Sequence, residues 1–279
     1  MSAPPDNGPE LATETRPARP EATAGLQAVW LHGWGQDRRA FAALADFFTG
    51  WGEGLLVDLP GFGETPGPPE PWDTADYADH LAARLAVAPR PGRRVVIGHS
   101  FGGRVAIRLA ARHPDSVDAL ILIAGAGLQR QRSLRQRLRA GALKRLGRLA
   151  KAVDAVAGTR LHAAYAARFG SADYRNAGAL RPTFVKVVTE DLSDEARRVA
   201  VPVLLLYGET DTETPPEFAE RYAALMPDAE AVILPRLGHL DILGAGAHQV
   251  KAQAKRFLAA RGLTGEPDAA ARAAGGGGR

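Results

Sequence analysis

An α/β fold is what the sequence predicts: a mostly parallel central sheet flanked by helices, with a helical lid inserted in it. Three observations carry the prediction. Short apolar runs bounded by Gly, Pro or Asp recur along the chain, and runs of that length suit strands buried on both faces. Stretches of helical periodicity alternate with them, which is the pattern of a parallel sheet with crossover helices. Between Gly127 and Ala200 the alternation stops, and helical patterning continues there without a clear strand.

Taken in order, residues 1–25 are rich in Pro, Ala and charge and are expected to be disordered. The core is expected over 26–127 and 199–262. Its strands are predicted at 26–31, leading into His32-Gly33; at 54–57, into Asp58; at 94–97, into Gly98; at 119–123, into Gly125; at 203–207, into Gly208; and at 231–234, into Pro235. Helices are predicted at 75–87, 103–113, 217–225 and 251–260. The second of these sets Val105 with Leu109 and Ala106 with Ala110 at helical spacing, and Pro114 stops it. Residues 128–198 are assigned to the lid. There Leu134, Leu138, Ala142, Leu146, Leu149 and Val153 fall three or four apart on one apolar stripe, expected to pack over the sheet edge. Residues 263–279, ending in four glycines and an arginine, are expected to be disordered.

Composition narrows the chemistry. The chain has 279 residues, 46% of them hydrophobic and 24% charged, which is ordinary for a globular protein with one sizeable core. It has no cysteine, so disulfides, thiolate nucleophiles and cysteine metal ligands are excluded together. The formal charge of +4 is unevenly placed: residues 128–157 hold nine Arg or Lys against Asp154 alone, and the remainder is net negative. The basic character therefore belongs to one segment and is no argument for nucleic-acid binding. Residues 1–25 lack an apolar run of signal-peptide type, and no run is long enough to span a bilayer, so a cytoplasmic location is expected.

Four motifs carry the chemistry. Gly98-His99-Ser100-Phe101-Gly102 fits G-x-S-x-G between a predicted strand and helix, the context of a nucleophile held on a sharp turn whose neighbours must be small. His32-Gly33-Trp34-Gly35 ends the first core strand, and the backbone N–H groups of Trp34 and Phe101 are the candidate oxyanion donors. Here His32 reads as a residue that holds its loop rather than one that moves protons. Gly208-Glu209-Thr210-Asp211 follows another strand, with Asp211 the candidate carboxylate and Glu209, Glu213 and Asp241 its rivals. Gly238-His239 supplies the missing general base, with His248 as runner-up.

HGWG, DLPGFG over 58–63, GHSFGG, GETD and GH together resemble the α/β-hydrolase superfamily, over about residues 26–127 and 199–260. The order Ser, Asp, His is that family's order. HGWG and DLPGFG are also similar to small carboxylesterases of biotin synthesis that act on methyl esters carried by acyl carrier protein. That group typically has tryptophan before the nucleophile, where this chain has His99. The resemblance implies a serine hydrolase cleaving a carboxylic ester or thioester through an acyl-enzyme. A C–C bond hydrolase of a diketone-like substrate, or a ligand-binding member with little turnover, are the alternatives. Nucleotide and zinc motifs are missing, which implies no metal and no cofactor. The expected partner is a small-molecule ester. The basic face of the lid reads first as a solvated surface, then as a dock for an acidic partner or anionic substrate, then as a contact with an anionic membrane.

Overall fold

The computed structural model describes residues 8–22, 24–131, 134–157, 159 and 172–264. The chain divides into two compact units, Met1–Leu128 with Glu190–Arg279, and Gln129–Thr189.

The first unit is built on a seven-stranded sheet: β1 (Thr13–Arg16), β2 (Leu26–Leu31), β3 (Gly52–Val57), β4 (Arg93–His99), β5 (Ala119–Ile123), β6 (Val203–Gly208) and β7 (Ala229–Leu234). Their order across the sheet is β1-β3-β2-β4-β5-β6-β7. Only β1 is antiparallel, to β3; the other neighbours are parallel. β2, β5 and β6 are buried along their whole length, as strands covered on both faces must be. One face carries Trp30, which packs on Phe41 and Phe48 with ring centroids 5.1 and 4.9 Å away. Phe48 lies in α1 (Ala42–Phe48), and Phe257 of the last helix, Ala247–Ala260, belongs to the same apolar cluster. Tyr77 and Leu81 of α2 (Thr74–Val87) and Val105 and Leu109 of α3 (Phe101–Arg112) are buried in turn. Asp73 starts α2 with a capping box: its side chain accepts from Ala75 and Asp76, while Asp76 accepts from the Asp73 N–H.

Register places the chemistry. Leu31 pairs with Gly98, His99 with Ile123, and Gly208 with Leu234. The loops that follow β2, β4, β5, β6 and β7 therefore leave one edge of the sheet, at its carboxyl ends, where open α/β sheets put their sites.

Two boundaries differ from expectation. Residues 8–22, expected to be disordered, include β1, which pairs Thr13 with Val57 and Arg16 with Gly54. Its ladder is made of backbone bonds, which need no apolar run. Asp58 N–H donates to Ala12 O, and Arg19 bonds Thr49 through backbone and side chain. The core also resumes at Glu190 rather than 199. Glu190 accepts from the Thr74 N–H at 2.9 Å and the Thr74 hydroxyl at 2.6 Å. Leu192 N–H donates to Gly127 O, and Arg108 pairs with Glu195 at 2.5 Å. These polar ties bind a helical segment, Ser193–Arg198, that strand rhythm alone assigns to the insertion. Of the expected C-terminal tail, Leu263 and Thr264 are buried; residues 265–279 lie outside the described residues.

The second unit contains α4 (Leu134–Ala157) and the helices Ala172–Asn176 and Arg181–Thr189. Leu146, Leu149 and Val153, expected to face inward, are exposed among the described residues, as are Arg145, Arg148 and Lys151. The side chains of Leu134, Leu138 and Ala142 lie outside the described ones.

Candidate active site

The turn between β4 and α3 is tight enough to dictate its own composition. Ser100 has φ +49°, a left-handed backbone unusual for a residue with a side chain. A Cβ on Gly98 would come within 2.5 Å of the Gly102 carbonyl oxygen, and one on Gly102 would overlap the Leu31 carbonyl. Ser100 is clamped by its neighbours' backbones: its N–H donates to Ile123 O at 3.1 Å, and its carbonyl accepts from Ala126 and Gly103, each at 3.1 Å. α3 begins at Phe101, whose N–H, like all those of a first helical turn, has no intrahelical acceptor.

The loop after β2 runs beside that turn. Trp34 stacks edge-on against Phe101 with centroids 5.3 Å apart, and both rings touch Phe62. The two candidate oxyanion residues are thus packed side by side. His32 sits behind them, fully buried. Leu59 N–H donates to its Nε2 at 3.0 Å, which puts the proton on Nδ1, 2.8 Å from Gly33 O. Burial pulls its pKa below the ordinary value, although the bond to Gly33 O and the charge of Asp58 oppose this. His32 therefore joins the 32–36 loop to the 58–65 loop. Asp58 fixes the second loop by accepting from the N–H of Arg38 at 2.7 Å and of Glu64 at 2.9 Å, and by pairing with the Arg38 guanidinium.

Asp211 and His239 meet on the other side. The acid loop and the histidine loop are joined through backbone, Thr210 N–H to Leu237 O at 3.0 Å. Asp211 is buried, and both its oxygens are occupied. Oδ1 accepts from Glu213 N–H at 2.7 Å and Thr214 N–H at 2.9 Å; Oδ2 accepts from His239 Nδ1 and from the Thr214 hydroxyl, each at 2.8 Å. Burial alone would raise the Asp211 pKa. The hydrogen bond and charge of His239, with the Thr214 bonds, outweigh it and hold the carboxyl below its ordinary value. With Nδ1–H given to the carboxylate, His239 Nε2 is left as the basic atom, 3.6 Å from Glu213 Oε2.

His99 links this pair to the Ser100 turn. Its ring is buried, 4.9 Å from the His239 ring, with Nε2 3.1 Å from His239 O and Nδ1 3.1 Å from Gln36 Oε1. Gln36 Oε1 also takes the Gly33 N–H at 2.9 Å. Burial, helped by the adjacent His239, pushes the His99 pKa down to about 3. A neutral ring has one N–H, so it donates to one of its two acceptors at a time. The residue beside Ser100 thereby touches both the histidine loop and the oxyanion loop. Among the described residues the Ser100 hydroxyl makes no hydrogen bond, a looseness common before substrate binds.

Three of the four rivals are engaged elsewhere, while Glu213 faces His239 Nε2. Glu209 Oε2 accepts from Arg236 N–H at 2.9 Å, Asp241 Oδ2 from Gly238 N–H at 3.1 Å, and His248 is exposed and bonds Ala245 O. Sequence reasoning missed Thr214, Gln36 and the bridging role of His99. For Thr214 a signal existed: Thr three residues after Asp at a strand end fits a side-chain-stabilised turn. Among the described residues no His, Asp and Glu group could hold a metal ion, and no helix is long and apolar enough to cross a membrane.

Comparison with known proteins agrees with this architecture. The pimeloyl-[acyl-carrier protein] methyl ester esterase of Chromobacterium violaceum is 30% identical over 246 residues, covering 84% of this chain and 94% of the relative. The enzyme of the same name from Neisseria meningitidis serogroup B is 29% identical over 249 residues, covering 82% and 90%. Among solved structures, a thermophilic esterase from Thermogutta terrifontis superposes with a TM-score of 0.66 at 23% identity, over 92% of this chain and 94% of that one. At that identity the likeness is one of fold. The sequence profile of the Alpha/beta hydrolase family matches residues 28–253, so the chain belongs to that family and is a carboxylesterase-like hydrolase.

Proposed function

We propose that the chain hydrolyses a carboxylic ester through an acyl-enzyme, with Ser100 as nucleophile, His239 as general base and acid, and Asp211 as the carboxylate that orients it. The observation that carries this is the buried Asp211–His239 pair, bonded at 2.8 Å and contacted by His99, the residue next to a serine of positive φ. His239 Nε2 takes the Ser100 proton as Oγ attacks the ester carbonyl. The N–H groups of Trp34 and Phe101 receive the oxyanion. Collapse breaks the C–O bond, and His239 returns the proton to the leaving alcohol. Water, activated by the same imidazole, then discharges the acyl group.

Both relatives act, by name, on a methyl ester attached to an acyl carrier protein. A second reading follows from the exposed Arg145, Arg148 and Lys151: the substrate includes an acyl chain borne by an acidic carrier. One experiment addresses both readings. Ser100→Ala is compared with the wild type on a short p-nitrophenyl ester and on a methyl ester borne by acyl carrier protein, across a salt series. Loss of at least a thousandfold in kcat on both substrates is expected, roughly the scale of removing a triad member. In the wild type a steep fall of kcat/KM with salt is expected on the carrier substrate alone. Wild-type activity in Ser100→Ala refutes the nucleophile; equal salt dependence on the two substrates refutes the carrier.

A further inference from the structure

Thr214 touches more of the site than its distance from any recognised motif suggests. Its N–H donates to Asp211 Oδ1 at 2.9 Å. Its hydroxyl oxygen lies 2.8 Å from Asp211 Oδ2, 3.1 Å from Ala124 O and 3.2 Å from His239 Nδ1. The residue is 4% exposed, so these contacts are made away from water. The hydroxyl has one proton. The carboxylate is the nearer acceptor and the charged one, so it takes that proton. Asp211 Oδ2, the oxygen that receives His239 Nδ1–H, is then held from a second direction.

The Ala124 contact brings the Thr214 side chain beside the Ser100 turn. Ala124 has φ +48° and directly follows β5. Ile123, on one side of it, accepts from the Ser100 N–H, and Ala126, on the other, donates to the Ser100 carbonyl. The Thr214 side chain thus meets the turn that clamps Ser100 while it holds the carboxylate of the acid loop. Valine has the shape of threonine without the hydroxyl, and serine keeps the hydroxyl without the methyl, so substitution separates bonding from packing.

We propose that Thr214 is a positioning residue of this site: its hydroxyl donates to the Asp211 carboxylate and fixes it toward His239, while its side chain packs beside the turn that holds Ser100. The proposal rests on the triad reading given above. Among the described residues, the titratable groups facing the pair include the buried His99 ring, the Glu213 carboxylate near Nε2 and the buried Tyr207 phenol, which interacts electrostatically with Asp211 and donates to Gly125 O. Losing the hydroxyl leaves Asp211 with one donor fewer, hence more basic and less well aimed. The looser geometry slows proton transfer; the more basic carboxylate holds a protonated His239 more strongly.

The test compares Thr214→Val and Thr214→Ser with the wild type on the p-nitrophenyl ester, with rates per active site counted by phosphonate titration. Thr214→Val is expected to lower kcat about tenfold, the scale of one hydrogen bond to a charged group, with KM within about twofold. The acidic limb of its kcat/KM profile is expected to move to higher pH. Thr214→Ser should recover most of the rate and restore the limb. An unchanged kcat and limb in Thr214→Val overturns the proposal. So does a Thr214→Ser as slow as Thr214→Val, because the methyl group would then be what matters. Failure of the triad itself reads differently: Ser100→Ala would stay active in the same assay.

Discussion

His32 and His239 each follow a core strand, sit next to a glycine and lie in a loop at the same edge of the sheet, yet they are built for opposite ends. His32 gives one ring nitrogen to the Leu59 N–H and the other to the Gly33 carbonyl. Both partners are backbone, both atoms are used, and burial keeps the ring neutral. His239 gives Nδ1 to a buried carboxylate and has Nε2 3.6 Å from the carboxylate of Glu213. The flanking glycines do not distinguish the two; the partners do. A histidine whose two nitrogens are both bonded to backbone holds a loop, and one aimed by a carboxylate with its far nitrogen not bonded to backbone can move a proton.

The sharpest way to break this comparison is to change the partner. Asp211→Asn replaces an acceptor-only carboxylate with an amide that can present N–H to Nδ1, favouring the wrong tautomer. A kcat lower by roughly 10³–10⁴-fold is expected, with the fold intact by circular dichroism. A kcat within tenfold of wild type would mean that the carboxylate does not define His239's role.

A smaller effect tests the other half. His32 and His99 are both buried and neutral, with pKa values lowered from the ordinary 6.5 and, for His99, down to about 3. The unfolded chain binds their protons at a higher pH than the folded chain does. Their contribution to stability is therefore complete above about pH 6.5 and is lost as the pH falls below it, for His99 over the window down to about 3. The limiting slope is about 1.4 kcal/mol per pH unit for each such group. Urea midpoints at pH 7.5 and 5.0 should fall less in His99→Phe than in the wild type. An identical fall in the two would show that His99 does not stay neutral in the folded chain.

Much of the sheet was legible because burial on both faces leaves a plain mark. The β2 and β5 runs, LQAVWL and ALILI, coincide with their strands, and Gly98 and Gly102 mark a turn around Ser100 with no room for a Cβ at either position. What escaped was held by groups with no periodicity. β1 adds to the sheet through its backbone ladder and side-chain ion pairs such as Arg16–Asp46, with a wholly polar TETR sequence. The segment 190–198 rejoins the core through Glu190–Thr74 and Arg108–Glu195, pairs far apart in the chain. At the candidate site, position after a strand and chain order singled out Asp211 and His239, which the fold brings within hydrogen-bond distance. Thr214 carried only the local signal of a turn after Asp211, and Gln36 carried none, since one amide looks the same in any loop until its neighbours are known.

The central claim is that the hydroxyl of residue 100 attacks the substrate. A fluorophosphonate probe, which reacts only with an activated serine, followed by peptide mapping, tests it most directly. One adduct on the peptide containing Ser100 is predicted, forming in step with loss of esterase activity and absent in Asp211→Asn on the same timescale. An adduct on another serine, or full inhibition with Ser100 unmodified, would contradict the account.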